Sequence, residues 1–202
     1  ARLGLYDWCI TLDHMAQQAW LIAPPQRREQ VESWLTQTPT PNSAFTLTNS
    51  FKAELSHTQY VARFNAVQRY IRAGDCYQIN LAQRFYADYQ GDEWQAYLQL
   101  RKATPTPYSG FMAWGDKAVL SLSPERFIQC SNGEVETRPI KGTRTRGATL
   151  EEDQALAEQL LRSTKDRAEN VMIVDLLRND LGRVCQPGSI RVPQLCRLES
   201  YP

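Results

Sequence analysis

Lys141 stands in the run TRPIKGTRTRG (137–147), between Ile140 and a Gly142-Thr143 pair. Arg126, Arg138, Arg144 and Arg146 gather around it, in a chain whose formal net charge is only +1. Clustered cations disfavour one more protonated amine, and an unprotonated lysine amine is a nucleophile or a base. An arbitrary lysine near a strand end is a solvated charge; the Pro-Ile-Lys-Gly-Thr setting makes this one a candidate reagent. Glu125, in SPERF (123–127), is the second candidate. As a strand carboxylate it pairs with an arginine, but it becomes a general acid if its strand lies beside the strand leading to Lys141. Asp166 and Glu169, in KDRAEN (165–170), are spaced i, i+3 and share one helix face. Such a pair is either a solvated face or half of a Mg²⁺ site, because Mg²⁺ takes a few carboxylates together with water and substrate oxygens. The apolar MIVDLL that follows predicts a largely buried helix, whose carboxylates then need partners. Arg178, Asn179 and Asp180 read as structural, with a buried Asp175 or Asp180 tying Arg178 down.

Several elements must position these groups. Residues 1–22 alternate and predict one or two strands; a short helical piece covers Val31 to Leu35, and a Pro/Thr/Asn/Ser-rich connector follows to residue 50. This divides the chain into 1–50, the end of an N-terminal region with its linker, and 51–202. Ser56 and Gln59 have capping-box spacing. Tyr60, Phe64, Val67 and Ile71 then mark one helix face, with Gly74 as its stop. CYQINLAQRFY (76–86) alternates as a strand, and residues 92–102 form an amphipathic helix. Strands are expected over 107–114, 118–130 and 134–140, the last two joined by an Asn132-Gly133 hairpin. Lys141 falls at the end of the third. Thr149 and Glu152 cap a helix through Leu161, and Ser163 with Asp166 starts another that runs to Gly182. Strands and helices in irregular order give the α+β class, not a regular βαβ array.

Composition excludes little else. The 202 residues are 42% hydrophobic and 22% charged, as in an ordinary globular chain. The near-zero net charge gives no reason for nucleic-acid or membrane binding, and no apolar run is long enough to span a bilayer. Five cysteines without a C-x-x-C spacing suggest reduced thiols and a cytoplasmic setting, with neither a disulfide framework nor a zinc site. The chain starts at Ala1 and stops at Pro202 without a finished terminal element, so a fragment is expected.

GDCYQINLAQRF (74–85), LSPERF (122–127), TRPIKGTRTRG (137–147) and KDRAENVMIVDLLRNDLGRV (165–184) resemble, in order, four motifs of the chorismate-utilising enzyme family. The resemblance covers roughly residues 55–195. It implies part of the anthranilate synthase component I-like fold, a mixed β-sandwich with surrounding helices. Anthranilate synthases carry Pro-Ile-Ala-Gly-Thr where this chain has Pro-Ile-Lys-Gly-Thr. The lysine form resembles the branch that aminates chorismate at C4 to 4-amino-4-deoxychorismate, for p-aminobenzoate and folate synthesis. Lys141 then matches the nucleophile and Glu125 the acid that protonates the departing hydroxyl. Gly142 and Thr143 match substrate-contacting residues. Glu169 matches a direct Mg²⁺ ligand, and Asp166 an acid acting on the ion through water. Pro107, Tyr108 and Ser109 match one wall of a pocket that holds tryptophan in relatives. Ammonia is expected from a separate glutaminase subunit. The chain departs from the family in Arg144-Thr145-Arg146, where Pro-Arg is usual. It also lacks the family's later histidine, Gly-Ala-Pro-Lys motif, further glutamates and Gly-rich loop, so the chain alone is expected to be inactive. The alternatives are an anthranilate synthase component I, or a remnant that only binds a glutaminase.

Overall fold

A computed structural model describes residues 3–38 and 43–201, which fall into two units, Ala1–Asn42 and Ser43–Pro202. In the first, strands β1 (Cys9–Asp13) and β2 (Gln18–Ile22) pair as an antiparallel hairpin with Asp13 opposite Gln18. Asp13 Oδ1 accepts the backbone N–H groups of Met15 and Ala16 at 2.9 and 2.8 Å, which shapes the turn. Helix α1 (Pro25–Thr36) begins with proline at its first position, where the missing N–H costs nothing, and extends well beyond the expected Val31–Leu35. Val31 is its buried residue, and Trp34 packs on Trp8 with ring centroids 5.8 Å apart.

The second unit opens with a two-part clasp. Strand β3 (Thr46–Leu47) pairs with β6 (Tyr89–Gln90), and β4 (Lys52–Ala53) with β5 (Phe85–Tyr86). Between the two ladders, Asp88 N donates to Asn49 Oδ1 at 2.9 Å and Thr48 N to the Asp88 carbonyl at 2.8 Å. β3 therefore lies inside the expected connector, of which residues 39–42 fall outside the described residues. Helix α2 (His57–Ala73) carries the full capping box of Ser56 and Gln59 and ends at Gly74. The expected strand over 76–86 is realised as a ladder only at Phe85–Tyr86. Residues 79–84 run without a partner strand among the described residues, and alternation alone cannot supply one.

Helix α3 (Glu93–Ala103), capped by Asp92, buries Ala96 and Tyr97. Trp94 stacks on Tyr97 at 5.3 Å, and both rings meet Phe111 on strand β7 (Gly110–Trp114), at 5.0 and 5.6 Å. Edge-to-face and offset contacts of this kind suit the aromatic quadrupole. β7 pairs with β8 (Lys117–Ser121). The expected strand 118–130 breaks at residue 121, and its remainder, β9 (Gln129–Ser131), pairs with β10 (Glu134–Glu136). Asn132 (φ 52°) and Gly133 (φ 79°) make the two-residue turn foreseen there, both left-handed as a type I′ turn requires. Helices α4 (Leu150–Arg162) and α5 (Thr164–Gly182) complete the unit, each with its hydroxyl cap, Thr149 and Ser163.

The expected burial of α5 is not found. None of its residues is fully buried, and Val171 and Leu176 are about half exposed, at 47% and 54%. Arg178 does pair with Asp175, at 3.2 Å, but on the surface, where such a pair contributes little. The apolar run MIVDLL predicted burial, but burial depends on what packs against the helix, which the helix sequence does not contain. The strands form five two-stranded antiparallel ladders among the described residues, and helices and strands together give the α+β class.

Candidate active site

Lys141 lies on residues 137–149, which carry no regular structure between β10 and α4. Glu125 reaches this segment: its Oε1 accepts the Ile140 backbone N–H at 3.0 Å, one residue before the lysine. The carboxylate is aimed by a local turn in which Ser123 Oγ accepts the Glu125 N–H at 3.1 Å and donates to the Glu125 carbonyl at 3.0 Å. Thr137 Oγ1 donates to the Phe127 carbonyl at 2.7 Å, and Arg126 pairs with Glu136, so the two runs are tied at several points. The hairpin thus brings the predicted acid and the predicted nucleophile to adjoining positions.

Gly142 is left-handed (φ 72°), and a Cβ there would sit 2.8 Å from the Asp166 side chain and 2.9 Å from Leu160 Cδ1. The loop therefore lies flat against α4 and α5, and a side chain at 142 meets both a conformational and a packing penalty. Gly142→Ala is expected to destabilise the second unit by about 2–4 kcal/mol on those two grounds. Chemical denaturation measures this, and an unchanged midpoint would rule out the close approach.

The basic cluster is matched by acids, contrary to the bare positive loop that the sequence suggested. Arg144 pairs with Asp166 at 3.1 Å, Arg146 with Asp153 at 2.8 Å, and Arg138 with Glu136 at 2.8 Å and Glu199 at 3.7 Å. The carboxylates arrive from α4, α5, β10 and the 190s, which no local reading of 137–147 includes. Asp153 also accepts the Gly147 N–H at 2.9 Å, and Glu152 the Ala148 N–H at 3.0 Å. The Arg146 guanidinium, and then the Gly147 N–H, hold the Asp153 carboxyl below its usual 3.8. The Ser163 hydroxyl and Arg144 do the same for Asp166, against the opposing effect of desolvation. A carboxylate whose folded pKa is depressed stabilises the fold above its unfolded pKa, and that contribution is lost as pH falls through the folded value. The 144–148 loop is therefore expected to stay clamped to α4 at neutral pH and release below the ordinary aspartate value. Asp153→Asn should release it at neutral pH and flatten the acid transition. Amide exchange of residues 144–150 against pH checks this, and identical profiles for both proteins would contradict it.

Lys141, Gly142, Thr143 and Asp166 line one open cleft of about 1640 Å³, with Leu156, Leu160 and Leu177 supplying apolar wall. Glu125 and Glu169 stand outside that lining. Glu169 Oε1 instead accepts from Gln78 Nε2 at 3.3 Å. Gln78 was not singled out from the sequence, although it sits inside the CYQINL run. Among the described residues no group of three or more His, Cys, Asp or Glu converges as a metal cage. The donor chemistry still suits one side of a Mg²⁺ site, since that ion is commonly held by one or two carboxylates with substrate oxygens. Among the described residues the recorded partner of Glu169 is the Gln78 amide, whereas Asp166 is already engaged by Arg144. Of the segment 107–109, Tyr108 N donates to the Ser123 carbonyl at 3.1 Å, and Ser109 Oγ lies 2.7 Å from Thr106 Oγ1. Pro107 and Tyr108 are exposed and Ser109 is half-buried. This segment is thereby tied to the turn that carries Glu125.

Comparison with known proteins shows what the chain is similar to. The chain is 50% identical over 203 residues to aminodeoxychorismate synthase component 1 of Klebsiella aerogenes, an alignment that takes in 99% of this chain and 44% of the relative. The protein of the same name from Escherichia coli K12 is 48% identical over 201 residues, again with 99% and 44% covered. The crystal structure of anthranilate synthase component I from Streptococcus pneumoniae TIGR4 superposes with a TM-score of 0.83 at 29% identity, over 98% of this chain and 46% of that one. The chain thus spans less than half the length of these relatives. The model of the chorismate binding enzyme family matches residues 1–202, and the chain belongs to that family.

Proposed function

We propose that this chain carries part of the active site of an enzyme that aminates chorismate at C4, giving 4-amino-4-deoxychorismate. The observation that carries the reading is Lys141 in Pro-Ile-Lys-Gly-Thr, with Glu125 hydrogen-bonded to the backbone one residue before it. The names of the two relatives that are about half identical to it point the same way. In this reading the unprotonated Lys141 amine bonds to C2, both double bonds of the ring diene shift, and the C4–O bond breaks, the hydroxyl leaving as water with a proton from Glu125. Ammonia then bonds to C4, both double bonds shift back, and the C2–N bond to the lysine breaks, the proton lost by the new amine matching the one gained by the departing lysine. Gly142 and Thr143 offer backbone and hydroxyl groups to the substrate.

Glu169 would hold Mg²⁺, with Asp166 behind it. The ion would supply positive charge to a carboxylate of the dianionic substrate. A relative called component 1 implies a second component, and a glutaminase delivering ammonia fits that place. Pro107, Tyr108 and Ser109 are proposed as one wall of a tryptophan site. No helix among the described residues is long and apolar enough to cross a membrane, and a cytoplasmic location is proposed with it. The test is product identity. The complete gene product, given chorismate, Mg²⁺ and ammonium, should release aminodeoxychorismate. Anthranilate with pyruvate would overturn the reading and move the protein to the anthranilate-forming branch.

A further inference from the structure

Each nitrogen of the Arg144 guanidinium donates one hydrogen bond to a protein acceptor. Nη1 donates to the Thr143 carbonyl at 2.8 Å, Nε to Gln159 Oε1 on α4 at 3.1 Å, and Nη2 to Asp166 Oδ2 on α5 at 3.1 Å. The planar fork suits this task, because its donors leave in fixed directions, whereas a lysine ammonium is a point charge on a flexible stem. Both partners of the Arg144–Asp166 pair are shielded, with side chains 31% and 18% exposed. An independent contact closes the same arrangement: Asp166 fills the space beside Gly142 that a Cβ would need. Residues 142 and 144 thus both meet α4 and α5, with Thr143 held between them, and Lys141 is the residue immediately before them.

We propose that Arg144 is a positioning residue, locking the Lys141–Thr143 backbone onto α4 and onto the helix that carries Glu169. Asp166 is then the anchor of this lock, and its carboxylate serves the loop before it serves any ion. The catalytic half of the proposal rests on the reading of Lys141 as the nucleophile. A loop misplaced by about 1 Å can cost on the order of a hundredfold in rate. Because the guanidinium is committed to the protein, its loss should fall on turnover and leave substrate affinity in place.

The experiment uses the complete gene product and the variants Arg144→Ala, Arg144→Lys, Asp166→Asn and the double Arg144→Ala/Asp166→Asn. Amide exchange of the peptides covering 137–149 is read beside kcat and KM for chorismate. Arg144→Ala is expected to speed exchange there, and to lower kcat about tenfold to a hundredfold with KM within about twofold. Arg144→Lys should recover only a small part of that loss. In the Asp166→Asn background, Arg144→Ala should cost less than it does alone, as coupled partners do. Unchanged exchange in Arg144→Ala overturns the lock whatever the activity shows. A raised KM with kcat retained overturns it too, and makes Arg144 a substrate-carboxylate contact. Full activity in Lys141→Ala would instead sink the nucleophile reading, and the exchange result would still decide the lock.

Discussion

Lys141→Ala is expected to lower C4 amination by about three orders of magnitude or more, the scale on which enzymes lose rate when a group acting in the transition state is removed. The lysine is half-buried on the open cleft, and the Glu125 carboxylate is bonded to the preceding residue. Its loss leaves in place the substrate contacts proposed for Gly142 and Thr143, so the fall belongs in kcat. Lys141→Arg is the companion variant. It retains positive charge and removes the nucleophile, because the guanidinium is never deprotonated in practice. If Lys141 acts by charge alone, arginine restores much of the rate; if it acts by bonding to carbon, arginine is as poor as alanine. Intact-protein mass spectrometry of the wild type with chorismate and no ammonia adds a direct reading. A covalent increment present in the wild type and absent from both variants supports the role, and equal activity across all three would end it.

Glu125→Gln carries the second-largest expected effect, a fall in kcat of about 10²–10⁴-fold. Glutamine is nearly isosteric, and its side-chain oxygen can still accept the Ile140 N–H that Glu125 Oε1 now accepts. Position is therefore kept while the proton proposed for the leaving hydroxyl is lost. Stability should change little, and a denaturation midpoint matching the wild type would show that the lost rate is chemical. Retention of more than about a tenth of the wild-type kcat would assign Glu125 to structure, as the partner of Ile140, and move the acid elsewhere.

Local signals were legible in this sequence, and distant ones were not. Ser56 with Gln59, Asn132 with Gly133, and the hydroxyls of Thr149 and Ser163 act within four residues of themselves, and each does in the structure what its spacing foretold. Strand ladders and burial need a partner from elsewhere. Hence 76–86 paired only at its last two residues, 118–130 split in two, and the apolar run of α5 was taken for a buried one. In the site, the nearness of Glu125 to the Lys141 segment followed from the hairpin, which a two-residue turn announced. The pairing of Arg144 with Asp166 across 22 positions, and of Gln78 with Glu169 across 91, had no such herald. The arginines of 137–147 looked like an unmatched cluster of cations because most of their carboxylates arrive from other elements. Each family motif was visible as a string, but which residue faces which is a property of the packed chain.

The clasp of β3 and β4 on β5 and β6 has a bearing on the order of assembly. It joins Thr46–Ala53 to Phe85–Gln90 through four ladder pairs and closes residues 54–84, with all of α2, into one loop. Bringing together the ends of a loop of about 30 residues costs about 3 kcal/mol of chain entropy before the short ladders return anything. The β9–β10 turn meets no such barrier, since only two residues separate its ends. Folding is therefore expected to set the Glu125–Lys141 side early and to seat Gln78 late, with that same stretch the first to come loose when the native state breathes.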